Sequence, residues 1–396
     1  MKERVLEELD MSQEIRDEKV LELIDRSILE HPDTGYISLE GRVRLRKELF
    51  NAVRRMDVLS DLLEDDSITE IMINGYDQIF VEKDGCIQSF SQSFESEERL
   101  ASIIQQIVAG CNRLVNEAVP IVDARLPDGS RVNVVLPPVA LDGPTMTIRK
   151  FPKEKMTMER LIGLGALDEE AAGFLKLLVK ARYNIFVSGG TGAGKTTFLN
   201  ALSDYIPKTE RIITIEDSAE LQLRDVENLV RMETRNSNVE GENAITIRDL
   251  IKASLRMRPD RVIVGEVRDS AAIDMLTAMN TGHDGSLSTG HANSAYDMIT
   301  RLESMVLMGI ELPMEAVRRQ IASAVDIIIH LGRLRDGSRK VTEICEVTGV
   351  ENGQVQLTSL YGFEEQAEKG RKTVQGHLKR KAALQNKEKL KRAGLE

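Results

Sequence analysis

Eleven consecutive residues, Val187-Ser188-Gly189-Gly190-Thr191-Gly192-Ala193-Gly194-Lys195-Thr196-Thr197, have the types and spacing to hold phosphate. They fit the pattern G-x-x-x-x-G-K-[S/T], which carries meaning only between a strand and a helix. Both flanks are present: the apolar run Ile185-Phe186-Val187 precedes the loop, and Phe198-Leu199-Asn200-Ala201-Leu202 follows it. Glycines let the backbone curl so that successive N–H groups face one anion, and the helix N-terminus adds the positive end of its dipole. Gly189, Gly190, Thr191, Gly192, Ala193, Gly194, Lys195, Thr196 and Thr197 are the expected nucleotide-binding residues. In that pattern Lys195 reaches the β/γ-phosphates and Thr196 ligates Mg²⁺.

A phosphate loop holds a nucleotide, but hydrolysis also needs acids that place a water and a metal. Two apolar runs end in such groups: Ile212-Ile213-Thr214-Ile215-Glu216-Asp217 and Pro259-Asp260-Arg261-Val262-Ile263-Val264-Gly265-Glu266. The second resembles a Walker B strand with Glu in the usual Asp position. Acids often cap strands at solvent; these two gain meaning from the loop upstream, because open α/β sheets bind ligands at the C-terminal ends of their strands. Thr281-Gly282-His283 and Thr289-Gly290-His291-Ala292-Asn293-Ser294 then place two of the five histidines close together. No third metal ligand is near them and helical i, i+4 spacing is absent. An imidazole that reads the γ-phosphate from the sheet edge is the better account.

The elements that must carry these groups follow from periodicity. Residues 1–60 place Val20, Leu21, Leu23, Ile24, Ile28, Leu29, Leu45, Leu49 and Val53 at helical spacing, broken at His31-Pro32-Asp33-Thr34-Gly35. This region is a solvated bundle or a docking element. Residues 61–150 read as a small α/β domain: short β runs, a turn at Lys83-Asp84-Gly85, a helix over Glu97–Cys111, and a hairpin formed by Ile121–Leu126 and Arg131–Leu136. Residues 151–160, with Phe151-Pro152-Lys153, read as a linker. Over residues 161–363 strands and helices alternate as in a doubly wound domain. The lysines and arginines of residues 364–396 read as a basic, solvated tail or short helix.

Composition narrows the class. A chain of 396 residues exceeds one ordinary core. Its apolar share of 41% and charged share of 30% are globular, and no run approaches the roughly 18 apolar residues of a membrane span. The start, Met1-Lys2-Glu3-Arg4-Val5-Leu6-Glu7-Glu8, lacks the apolar core of a signal peptide, so a cytoplasmic protein is expected. A net charge of −11 and the lack of Trp argue against direct nucleic-acid binding. Cys86, Cys111 and Cys345 form no C-x-x-C pair and read as buried thiols rather than as a disulfide or zinc set.

Gly189–Thr197, Thr214–Glu220, Leu255–Asp269 and Thr281–Ser294 resemble, in this order, the Walker A, Asp box, Walker B and His box of the type II/type IV secretion ATPase superfamily. Within it the sequence looks most like the CpaF type, the motor of Tad (Flp) pilus assembly. The similarity extends over the Arg125–Lys150 hairpin and the Met305–Phe363 region. The tetracysteine zinc motif of type II secretion and type IV pilus extension motors is missing, which points to the CpaF or conjugation-type branch.

The resemblance implies an α/β fold: a RecA-like P-loop NTPase motor domain preceded by a small α/β N-terminal domain and a helical leader. It also implies a homo-hexamer that binds ATP and Mg²⁺ where the two domains meet. By position, Glu216 resembles the water-activating glutamate, Glu266 the Walker B glutamate acting on Mg²⁺ through water, and His291 the γ-phosphate contact. Arg125, Arg131 and Arg149 lie in the segment from which family members send charge toward phosphate, and Arg235 and Arg256 occupy motor positions of the same kind. Surface salt bridges are the alternative for each. Arg339, in the expected distal strands, serves as a remote control.

The expected function is a Mg²⁺-dependent ATPase that drives pilin polymerisation or secretion. It would sit peripherally at the inner face of the cytoplasmic membrane, through an inner-membrane platform protein. The rivals are a conjugation or type IV secretion motor exporting DNA or protein, a RecA-like nucleic-acid translocase, and a nucleotide-sensing switch. Lys195→Ala should abolish turnover with folding intact, because no neighbour in the loop replaces the ammonium. A purified, folded variant hydrolysing ATP at the wild-type rate would remove the assignment.

Overall fold

The computed structural model describes the chain except for residues 2–3, 6–7, 9–15, 32–33, 35, 84, 152–154, 224–225, 236–242 and 367–373. The expected break at Pro32, Asp33 and Gly35, Asp84 of the expected turn, and Pro152 and Lys153 of the expected linker lie outside the described residues. The contacts divide the chain into two units, Met1–Glu154 and Lys155–Glu396.

In the first unit, α1 (Asp17–Glu30) and α2 (Leu39–Arg54) are amphipathic. Val20, Ile24 and Ile28 recur every fourth residue on one face of α1 and are buried with Leu49 of α2 in a small separate core. Ser38 starts α2 by accepting a hydrogen bond from Gly41 N. Next come α3 (Val58–Glu64), β1 (Ile68–Asn74), β2 (Ile79–Lys83), β3 (Cys86–Ser89), α4 (Glu97–Gly110), β4 (Ile121–Arg125), β5 (Arg131–Val135) and β6 (Thr145–Arg149). The six strands form one antiparallel sheet in the order β3-β2-β1-β6-β5-β4. Leu100, Ile103, Ile104 and Ile107 of α4 pack in one core with Ile71, Ile73, Val132, Val134 and Ile148 of the sheet. The thiols differ from expectation: Cys86 is exposed, because β3 is an edge strand with all four residues exposed, and Cys111 is only half-buried. Cys345 alone is buried.

The second unit runs α5 (Met158–Gly163), α6 (Glu169–Lys180), β7 (Ile185–Gly189), α7 (Lys195–Ser203), β8 (Ile212–Glu216), β9 (Leu229–Glu233), α8 (Ile247–Ser254), β10 (Arg261–Val264), α9 (Ala271–Asn280), β11 (Leu287–His291), α10 (Ala295–Gly309), α11 (Met314–Ala324), β12 (Ile327–Arg333), β13 (Arg339–Glu351), β14 (Gln354–Glu365), β15 (Gly376–Arg380) and α12 (Glu388–Arg392). Its sheet order is β15-β14-β13-β12-β7-β11-β10-β8-β9. Pairing is parallel from β9 to β12 and antiparallel from β12 to β15. Side chains alternate across the sheet. Ile185 and Val187 enter the core that holds Leu199 and Leu202 of α7, whereas Phe186 enters the core that holds Met275 and Leu276 of α9. Asn352 and Gly353 take φ of 49° and 73°, the positive pair that a two-residue hairpin between β13 and β14 requires.

The expected basic tail is instead part of this unit. Gly376–Arg380 pairs with β14 as the sheet edge, and Leu378 and Leu384 are buried in the core of Ile185. Tyr183 Oη donates to Asn386 O at 2.6 Å, and buried Glu346 accepts from Gln385 N and Asn386 N at 2.8 and 2.7 Å. Lys389 Nζ lies 2.7 Å from both Asp326 Oδ2 and Asp284 Oδ1. Counting charges missed this, because the cations are interleaved with leucines that reach the core. Lys389→Met should lower the thermal midpoint of this unit by at least about 2–4 °C, the shift of one kcal/mol in a domain of this size. Lys391→Met, at an exposed site, should leave it unchanged. Equal midpoints for the two variants in a thermal scan would show that the segment is not fastened.

Candidate functional site

The phosphate loop leaves β7 where that strand is held between β11 and β12. A Cβ on Gly189 would stand 2.6 Å from Leu331 O of β12, so no larger residue fits there. Gly194 precedes α7 with φ +90°, the left-handed turn that aims the first helical N–H groups back at the loop. Lys195 and Thr196 are the first two residues of that helix; Lys195 is buried, Thr196 half-buried and Thr197 exposed. Beside the loop lies a cavity of about 410 Å³ lined by Gly190, Thr191, His291, Asn293, Asp297 and Arg301, among others.

Glu216 and His291 end β8 and β11, and Glu266 follows β10 by two residues, so parallel pairing brings all three to the edge that carries the loop. Lys195 Nζ donates to Gly190 O at 3.1 Å and lies 3.3 Å from His291 Nδ1. An ammonium has only donors, so Nδ1 must accept and the imidazole proton sits on Nε2. Nε2 stands 3.0 Å from Glu266 Oε1, although that oxygen is off the line of a hydrogen bond. Burial lowers the pKa of His291 against the opposing pull of Glu266, in keeping with this neutral form. Burial also lowers that of Lys195, with Glu266 opposing. Arg268 donates to Glu266 Oε2 at 2.8 Å and lies 3.8 Å from Asp217 Oδ2. Thr289 Oγ1 donates to Gly265 O at 2.7 Å, and Val267 N to Thr289 O at 3.0 Å, which locks the Walker B turn to the His-box strand.

Glu216 is set differently. Its Oε1 accepts from Glu220 N and Leu221 N, both at 2.8 Å, while Oε2 is buried with no hydrogen-bond partner among the described residues. Burial pushes its carboxyl up to about 7, and the two backbone N–H groups offset part of that rise. A Cβ on Gly265 would meet Glu216 Cγ at 2.9 Å, so the Asp-box and Walker B turns are in direct contact.

The remaining sequence-named residues divide into groups. Arg125, Arg131 and Arg149 belong to the first unit, in direct cross-strand register on β4, β5 and β6, with Glu70 of β1 opposite Arg149. Arg125 Nε donates to Gly129 O at 3.2 Å. Arg235 is exposed beyond β9 and donates to Asn243 O at 2.9 Å, and Arg256 is exposed after α8. Among the described residues, neither is bonded to the Lys195–His291–Glu266 chain. His283 stands apart, with Nδ1 3.3 Å from Ala278 O. Arg339, placed by the sequence reading in distal strands, corrects that reading: its Nε donates to Gly192 O of the loop at 2.7 Å. Because β12 pairs with β7, the hairpin that follows it returns beside the loop.

Sequence reasoning passed over Arg268, although it sits two residues beyond Glu266. It also passed over Arg301, one turn and a half into α10, and His330, whose Nδ1 lies 2.8 Å from Ser188 Oγ. His330 carried no signal, being one polar residue in an apolar strand. The residues present fit a nucleotide with Mg²⁺: a glycine loop running into a helix N-terminus, a buried ammonium, a hydroxyl at Thr196 and a carboxylate at Glu266. The metal, when bound, would supply charge neutralisation at the phosphates.

Comparison with known proteins gives the family. The model of the type II/IV secretion system protein family matches residues 54–391. Conjugal transfer protein TrbB of Rhizobium radiobacter is 32% identical over 333 residues, which cover 83% of this chain and 98% of that protein. Type IV secretion system protein VirB11 of Brucella suis biovar 1 is 31% identical over 318 residues, 73% of this chain and 88% of that protein. The crystal structure of the pilus retraction motor PilT with bound ADP aligns with a TM-score of 0.53 at 22% identity, over 77% of this chain and 81% of that one, a likeness of fold. With an N-terminal α/β unit ahead of a RecA-like unit, and a family match spanning most of its length, this chain belongs to the type II/IV secretion system protein family.

Proposed function

We propose that the chain is a Mg²⁺-dependent ATPase that powers export or assembly at a membrane secretion platform. The observation that carries the reading is the chain Lys195–His291–Glu266, assembled from the first residue of α7 and two strand ends beside a phosphate loop. Lys195 binds the β/γ-phosphates. Thr196 and Glu266 hold the metal, the latter through water. His291, neutral and hydrogen-bonded to Lys195, registers the γ-phosphate, whose arrival competes for that ammonium. Glu216 takes the proton of the attacking water; a carboxyl at about 7 is half ionised at neutral pH and well matched to the task.

The names of the relatives bear on the cargo. TrbB is a conjugal transfer protein and VirB11 a type IV secretion protein, which favours a conjugation or type IV secretion motor. Pilin assembly of the Tad/Flp, CpaF-like kind is the second reading, favoured by the box sequences. A gene neighbourhood with small prepilins rather than a relaxase would select it.

A homo-hexameric ring is part of the proposal. Arg125, Arg131 and Arg149 lie side by side in cross-strand register, so one strand-end patch can present several guanidinium groups to a phosphate. An arginine delivered in the ring would add charge to the transition state, and a closed heterologous interface gives every loop the same neighbour.

Glu216→Gln should bind Mg·ATP nearly as wild type yet turn over at least tenfold more slowly, a barrier rise of about 1.4 kcal/mol. In the wild type kcat should rise with pH through about 7, as Glu216 loses its proton, and the variant should lack that limb. If Glu216→Gln keeps both kcat and the limb while Glu266→Gln loses turnover, Glu216 only anchors the Glu220–Leu221 turn and Glu266 is the base. Specific activity should also rise with protein concentration. Arg131→Ala and Arg149→Ala should lower kcat more than Arg319→Ala, an exposed site on α11 that replaces Arg339 as the control. A concentration-independent rate from a demonstrated monomer, with the arginine variants unimpaired, would remove the ring.

A further inference from the structure

Arg339 opens β13 at the end of the turn that brings the chain back from β12. That turn is pinned: Asp336 accepts from Ser338 N at 3.0 Å and from Val374 N at 2.7 Å. The two residues after Arg339 are fastened as well. Lys340 Nζ donates to Gly165 O at 2.7 Å, and Val341 N to Ala166 O at 2.8 Å. Arg339 is therefore presented by an anchored strand. Its Nε donates to Gly192 O at 2.7 Å, and its Cδ would lie 3.5 Å from a Cβ on Gly194, so the side chain runs along the outside of the loop.

The consequence follows from peptide geometry. In a planar trans peptide the carbonyl of Gly192 and the N–H of Ala193 point in opposite directions. A guanidinium that holds the carbonyl outward turns the N–H inward, to the side where phosphate oxygens are bound. Ala193 N donates to Gly190 O across the loop at 3.3 Å, a long bond, so a phosphate oxygen would compete with that carbonyl for the N–H. Gly192 and Gly194 have no side chains to restrain this peptide, so the restraint has to come from outside, and a charge-assisted bond is roughly twice as strong as a neutral one.

We propose that Arg339 is a positioning residue of the phosphate loop, presetting the peptide between Gly192 and Ala193 for the α/β-phosphates of the nucleotide. The proposal rests on the nucleotide reading above. It differs from a γ-phosphate role in one measurable respect: the preset peptide serves ADP and ATP alike. Calorimetric titration with Mg·ADP and with a non-hydrolysable Mg·ATP analogue, beside steady-state hydrolysis, separates the cases. In Arg339→Ala both affinities should fall by the same factor, about tenfold, with KM rising in step and kcat changing less than about threefold. Arg339→Lys, which keeps a charged donor, should recover most of the loss. The thermal midpoint should stay at the wild-type value, since Arg339 is exposed. Should Arg339→Ala misfold, Arg339→Met keeps the stem without the donor and carries the same expectation. ADP affinity unchanged in the donor-less variant, or a loss confined to kcat, overturns the proposal. A wild-type protein that binds neither nucleotide overturns the nucleotide reading itself and this proposal with it.

Discussion

The structure around the site depends on holding one buried ammonium where positive charge is already concentrated. Lys195 is the first residue of α7, at the helix end whose dipole is positive, and Arg268 adds a further cation that lowers its pKa. Desolvation costs a charge more than any other group, so compensation has to be close. It is supplied at short range by Gly190 O and, through His291, by Glu266. The sheet provides these partners by register: β7 lies beside β11, and β11 beside β10. A shift of β11 by one residue would turn His291 to the other face and leave Lys195 facing Glu266 without an intermediary.

The same register explains why the C-terminal strands matter to a loop far from them in sequence. β12 runs parallel to β7 on the side away from β11, and Leu331 O comes so near Gly189 that the loop can leave the strand only as glycine. From β12 the chain must turn back, and the turn delivers Arg339 to the outer face of the loop. The C-terminal segment then holds the base of β7: Asp326, bonded to Asn184 N at 2.7 Å, shares Lys389 with Asp284. The loop and its lysine thus meet His291 of β11, while the β12–β13 hairpin brings Arg339 to Gly192.

Much of this was legible in the sequence, because the informative residues lie at places where backbone geometry permits few types. The loop glycines, the apolar strands ending in Glu216 and Glu266, and the continuous apolar run Ile185-Phe186-Val187, buried on both faces, all follow from local rules. What was not legible came from sheet order. Nothing local tells that β12 inserts beside β7 rather than at an edge, so Arg339 read as distal. Composition likewise hid the docking of the C-terminal residues, since Leu378 and Leu384 are two apolar side chains among many cations. The exposure of Cys86 failed for the same reason: whether a short strand is an edge is decided by its neighbours.

Glu216 shows how much of a strand-end acid's setting is decided by its neighbours in space. The family resemblance assigned the two strand-end acids different roles, and their surroundings differ as well. Glu266 lies beside Arg268, which donates to it at 2.8 Å, and His291. Glu216 is buried, with two backbone N–H groups on one oxygen and, among the described residues, no hydrogen-bond partner on the other. On the proposed reading, the carboxyl raised by burial accepts a proton and the one beside the cations holds the metal shell. The contact of Gly265 with Glu216 links the two turns, so a movement at one carboxylate is felt at the other. Division of labour between the acids therefore depends on burial and on that contact, more than on their shared position at the ends of neighbouring strands.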